Sequence, residues 1–144
     1  MRKILVVLDS NVIISSLLSS NGSSSRIIEL WRKHYFDLLT STYILSEVKK
    51  TLQDKQLANK YRFAKTKQSR LLTQLTHFAT IIDSTKSIKI GRDQNDHAVL
   101  SATINGHANY LVTGDQDLLV LAHDKTIKPL KIVTPTDFLH LFIN

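Results

Sequence analysis

Short apolar runs alternate with stretches of helical periodicity along the whole chain. Residues 3–8, KILVVL, form a mostly apolar run ended by polar residues, as in a parallel strand buried on both faces. A first helix is predicted at about 11–18. The Gly/Ser loop 19–25 follows, and its last serine, Ser25, is placed to cap a helix over 26–35 that carries Ile27, Leu30 and Trp31 at helical spacing. A second strand falls at 36–41, then a helix at 42–53 with Ile44, Leu45, Val48 and Leu52 on one side. A long basic helix or hairpin is predicted over about 57–79, with Leu71, Leu72, Leu75 and Phe78 as its core stripe, and a third strand at 79–83. Residues 93–108 read as a helix with Asp93 as N-cap, Val99, Leu100 and Ala102 as apolar face, and Gly106 as terminator. A strand at 109–114, a short helical turn at 117–122, a strand at 130–135 and a closing helix from Thr136 complete the pattern. The tail FLHLFIN reads as part of the core in preference to an interface. Strands alternating with helices imply an α/β fold, with a central parallel sheet covered on both faces.

Composition narrows the class. A length of 144 residues predicts one domain over 1–144, and no repeat or internal boundary interrupts it. The absence of cysteine excludes a disulfide framework, a thiolate zinc site and a cysteine nucleophile. The apolar start is broken by Asp9 and Asn11, so it reads as a strand and not a signal peptide. No stretch approaches the roughly 18 apolar residues of a membrane span, and a cytoplasmic protein is expected. The net charge of +7 favours a polyanionic partner. Much of that charge is concentrated: Lys49, Lys50, Lys55, Lys60, Arg62, Lys65, Lys67 and Arg70 stand against one acid, Asp54. Tyr61 and Phe63 are interleaved there, either to stack on bases or to face the core.

The acids are few enough to place one by one: two Glu and ten Asp. Asp9 ends the first strand; Asp115 and Asp117 follow the strand at 109–114. In open parallel sheets the carboxyl ends of strands form the rim where ligands bind. Asp93 and Asp96 begin the helix leading into that strand, where they also suit a cap and the helix dipole. Glu47 sits one residue before the core position Val48, or is a surface partner of Lys50. Carboxylates gathered on one rim repel each other unless a cation neutralises them. Hard oxygen ligands without cysteine or a spaced histidine pair indicate Mg²⁺ or Mn²⁺ in preference to zinc. Such an acidic pocket in a basic chain is the arrangement expected of a nuclease.

The blocks VVLDSNVIISSLL, SEVKKTL, RDQNDHAVLSATINGHANYLVTGDQDLL and KIVTPTDFL, in that order and spacing, resemble the PIN domain. More narrowly they resemble the bacterial and archaeal PIN proteins regarded as toxins of toxin–antitoxin pairs. The resemblance implies a three-layer α/β/α sandwich around a parallel sheet of four or five strands, and a Mg²⁺/Mn²⁺-dependent endoribonuclease. By matching position, Asp9, Glu47, Asp96 and Asp115 would be catalytic metal ligands, with Asp117 an additional acid of a TGDxDL signature. Asn11 and Thr113 would orient carboxylates or bound water. Lys49, Lys50, Arg62, Lys65, Lys67 and Arg70 would position RNA. The resemblance also implies a small antitoxin partner and a homodimer. Where relatives carry a more acidic run, this chain reads RDQNDH, which leaves the role of Asp93 open; His97 reads as structural or solvent-facing. Ser10 has no His–Asp relay to make it a nucleophile. Two other functions compete: a catalytically inactive RNA-binding or partner-binding module of the same fold, and a phosphoryl-transfer protein. The missing P-loop disfavours the second.

Overall fold

The computed structural model describes residues 3–57, 65–82 and 94–142. Its elements are β1 (Leu5–Leu8), α1 (Ser10–Ser15), α2 (Ser23–Arg32), β2 (Asp37–Thr40), α3 (Thr42–Gln53), α4 (Lys65–Phe78) and β3 (Thr80–Ile81). They continue with α5 (Gln94–Asn105), β4 (Tyr110–Val112), α6 (Gln116–Leu119), 3₁₀ turns at Val120–His123 and Lys125–Ile127, β5 (Lys131–Val133) and α7 (Pro135–Leu139).

All five strands pair in parallel, in the order β3-β2-β1-β4-β5. The register sets Leu39, Val7, Leu111 and Ile132 side by side across the sheet, every one of them buried. That row explains why the strands read as continuous apolar runs: helices cover both faces. Right-handed crossovers put the β1-to-β2 and β2-to-β3 connections on one face and α5 on the other. The observed architecture is thus the expected PIN-like α/β sandwich. Phe36, Phe138 and Phe142 meet at ring-centroid distances of 5.2–6.2 Å, so the C-terminal segment joins the core as expected, although Leu141 is exposed. No helix among the described residues is long and apolar enough to cross a membrane.

Several local expectations are corrected. The second helix begins at Ser23 with Gly22, not Ser25, at its N-cap. Ser25 is buried inside the helix, and its hydroxyl turns back to the carbonyls of Ser16 and Ser19. Phe78, expected in the core stripe with Leu71 and Leu75, is 76% exposed. It is the last residue of α4, beside the two-residue strand β3, which is the edge of the sheet among the described residues. Gly106 closes α5 as expected, but the positive φ of 56° belongs to His107. What Gly106 supplies is space, because a Cβ there would lie 3.0–3.1 Å from Ile82, Leu39 and the Ala102 carbonyl. Asp93, Tyr61, Arg62 and Phe63 lie outside the described residues.

Candidate active site

β1 and β4 are neighbours in register, Leu8 beside Val112, so the residues that follow them emerge together at the carboxyl edge of the sheet. Asp9 N donates to the Val112 carbonyl at 2.9 Å, which locks the start of the rim. Asp9 then serves as N-cap of α1, its Oδ1 accepting from Ser10 N at 2.8 Å. Its other oxygen, Oδ2, accepts from Thr113 Oγ1 at 2.7 Å and from Asn11 Nδ2 at 3.3 Å. Thr113 Oγ1 in turn accepts from Asp115 N at 3.0 Å, and Asn11 Oδ1 accepts from Gly114 N at 3.2 Å. Thr113 and Asn11 therefore stitch the two strand ends together through a buried carboxylate.

Beside this seam opens a cleft of about 190 Å³ whose lining includes the carboxylates of Asp9, Glu47, Asp96 and Asp115. Each arrives from a different element: the end of β1, the second turn of α3, the first turn of α5 and the loop after β4. α3 is set by Ser41, whose Oγ accepts from Ile44 N at 3.1 Å. Tyr43 lies four residues before Glu47 on the same helix face and also borders the cleft. Sequence reasoning missed Tyr43, although that i, i+4 spacing carried the signal. Ser10, Asn11, Val99 and Leu118 also line it, and among the described residues no Lys, Arg or His does. Asp9 and Asp96 are buried, whereas Glu47 and Asp115 are half-buried.

Burial pushes the Asp9 carboxyl above the ordinary carboxylate value. The Thr113 hydroxyl and the Ser10 amide draw it back down, the charge of Asp115 raises it again, and the Asn11 amide lowers it. The donor set is all oxygen, which fits a hard divalent cation. Among the described residues no three acidic or histidine side chains form a ready-made cage.

Four of the five predicted acids share the cleft; Asp117 does not line it. Its backbone N–H donates to Asp115 Oδ1 at 2.9 Å in the first turn of α6, and its side chain is exposed. The paired aspartates after β4 thus form an N-cap in which only Asp115 borders the cleft. Lys49 and Lys50 are exposed on α3, and Lys65, Lys67 and Arg70 are exposed on α4; none borders the cleft. His97 is half-buried and likewise does not line it.

The chain is 32% identical to an uncharacterized protein, MJ1680, of Methanocaldococcus jannaschii, over 97% of this chain and 92% of that one. Its fold resembles the crystal structure of VapBC2 from Rickettsia felis bound to a DNA fragment from their promoter, with a TM-score of 0.57 and 18% identity. That likeness covers 91% of this chain and 98% of the other. The family model of the PIN domain matches residues 5–117, a span that contains all four cleft carboxylates. PIN domains are generally nucleases. With that match over most of its length, the chain belongs to the PIN domain family.

Proposed function

We propose that the protein is a metal-dependent endoribonuclease that hydrolyses RNA phosphodiester bonds. The observation that carries this reading is the cleft itself: acids from four elements line it, and among the described residues no cationic side chain does. Asp9, Asp96, Asp115 and Glu47 would hold Mg²⁺ or Mn²⁺, which supplies charge neutralisation and Lewis acidity to the phosphodiester when bound. The chain's own contribution is orientation. Thr113, Asn11 and the Ser10 amide fix both oxygens of Asp9, and the Asp117 amide fixes Asp115, so the acceptors are aimed before substrate arrives. In hydrolysis water adds to phosphorus, the P–O ester bond breaks, and the water's proton is passed on to the departing hydroxyl. The half-buried carboxylate of Glu47 is the side chain suited to receive that proton in transit.

The fold likeness to VapBC2 supports a toxin role with a small antitoxin partner, and the same reading includes a cytoplasmic homodimer. Co-expression with the adjacent reading frame and sedimentation of the product test the partner and the dimer.

The decisive experiment incubates the purified protein with several RNAs in Mg²⁺, in Mn²⁺ and in chelator, beside Asp9→Asn and Asp96→Asn. Cleavage is expected only with metal and only in wild type, with RNA affinity retained or slightly higher in both variants. Cleavage by the variants at the wild-type rate removes the carboxylates from the reaction. RNA binding without any cleavage by wild type would instead favour an inactive binding module.

A further inference from the structure

α2 and α4 face each other across a seam remote from the acids. On α4 the residues Lys67, Arg70, Gln74 and Phe78 lie on one face by helical spacing, and on α2 so do Ser25, Ile28, Glu29 and Arg32. The two faces are joined where Arg32 Nε donates to Gln74 Oε1 at 3.0 Å. An opening of about 250 Å³ lies on one side of that bridge, lined by Ser16, Lys67 and Arg70 among others. On the other side a groove of about 470 Å³ is floored by Trp31, Phe36 and Leu38 and flanked by Phe78. Arg32 and Arg70 border both, so the two openings adjoin along the seam.

The geometry points to this seam as a binding track for single-stranded RNA that extends from the cleft. The inference rests on the reading of the cleft as a site for RNA. Charge complementarity selects the occupant. Arg32, Lys67 and Arg70 stand against two carboxylates, Asp37 at the far end of the groove and Glu29, which is already paired with Arg32 Nη1 at 3.0 Å. Lys67 and Arg70 form no ion pair among the described residues, which leaves both cations available to phosphate oxygens. Phe78 offers an exposed ring at the far end of the same helix face, the element a base needs for stacking. A cationic stretch ending in an aromatic platform is the combination that holds single strands without reading their sequence. Position connects the track to the acids. α1 begins at the cleft, where Ser10 lines it, and ends at the upper opening, where Ser16 lines it. At 1.5 Å per residue that separation is about 9 Å. From there the seam descends to the amino end of β2, where Asp37 lines the groove, so a strand leaving the cleft is carried along one face of the molecule.

The test measures fluorescence anisotropy of labelled single-stranded RNAs, one of four and one of twelve nucleotides, in chelator so that no cleavage occurs. Wild type is expected to bind the longer RNA more tightly. Lys67→Glu and Arg70→Glu should each reduce that length-dependent gain about tenfold and lower the salt slope by about one. Phe78→Ala should reduce the gain about tenfold with the salt slope unchanged. Lys125→Glu, an equal charge change on an exposed 3₁₀ turn, should alter the gain less than about twofold; all four sites are exposed, and thermal melts verify folding. An undiminished gain in the Lys67→Glu/Arg70→Glu double variant overturns the inference, and so does an equal loss in Lys125→Glu. It is also overturned if the seam variants keep RNA binding but release a co-purified protein partner. If wild type cleaves RNA while the seam variants bind like wild type, the track alone fails. If no metal elicits cleavage but the seam variants lose the longer RNA, the hydrolytic reading fails and the track stands.

Discussion

Thr113→Val is the sharpest probe of the rim, because it removes one hydroxyl from a fully buried position and keeps the shape of the side chain. The hydroxyl donates to Asp9 Oδ2 at 2.7 Å and accepts from Asp115 N at 3.0 Å. A hydrogen bond to a charged acceptor contributes about 1.5–3 kcal/mol, and stranding the amide costs about 1 kcal/mol more. The added methyl returns about 0.8 kcal/mol. The net loss with Asp9 ionised is then about 2–3 kcal/mol, or about 6–10 °C in Tm for a chain of this size. The loss depends on pH. Burial raises the folded-state pKa of Asp9 above its ordinary value of 3.8, so the folded chain binds more protons than the unfolded chain between the two values. Stability therefore falls as pH rises through that window. Thr113 lowers the folded pKa, so its removal extends the window upward and deepens the fall. Thermal melts in chelator should show a drop of about 6–10 °C at pH 8 that shrinks at pH 4, as Asp9 takes up its proton. Thr113→Ser, which keeps the hydroxyl, should recover most of the difference. Equal drops at the two pH values would refute the reasoning, since a packing defect carries no pH dependence.

Divalent metal should stabilise wild type and not Asp9→Asn. At a Mn²⁺ concentration one hundred times its Kd the gain is about 2.7 kcal/mol, roughly 8 °C, and equal rises in both proteins would place the ion elsewhere. Gly106→Ala should destabilise by about 1–3 kcal/mol in urea titrations, because one of the atoms at 3.1 Å from its Cβ is the Ala102 carbonyl, which cannot turn aside as a side chain can. A loss under about 0.5 kcal/mol would mean that the helix end relaxes freely.

Much of the site was legible because parallel-sheet geometry makes position along the chain a proxy for position in space. An acid directly after a buried strand must lie on the carboxyl rim, and Asp9 and Asp115 do. Asp96 followed from its place in the first turn of a helix that returns to the rim. Less legible was what joins them. The contact of Thr113 with Asp9 spans 104 residues and depends on β4 lying next to β1, an order that periodicity does not encode. Spacing alone also cannot distinguish two carboxylates sharing an ion from one carboxylate accepting the other's backbone N–H, and the bond of 2.9 Å from Asp117 N to Asp115 Oδ1 shows the second of these arrangements. Phe78 misled for a related reason. Its helical phase matches Leu71 and Leu75, but phase says nothing of where the sheet beneath the helix ends. The triple serine at 23–25 lacked helical propensity and was assigned to a loop; the tertiary bonds of Ser25 to the preceding turn override that preference.

The placement of charge argues against a purely structural origin for the cleft. A chain with net charge +7 has ample lysine and arginine with which to neutralise four carboxylates, and among the described residues none lines the cavity. Replacing buried ionic groups with well-packed apolar ones is often stabilising, so stability alone would favour losing these acids. Asp9 instead stays buried at the expense of a raised pKa, held by three hydrogen bonds that favour its ionised form. Those bonds keep the carboxylate charged and aimed while burial opposes the charge. A permanent cationic side chain would relieve the opposition but fill the space. An exchangeable hydrated cation would relieve it and leave room for a phosphodiester, and in the proposed reading the outer cations on α4 would then meet the rest of a polyanion that the acids alone would repel.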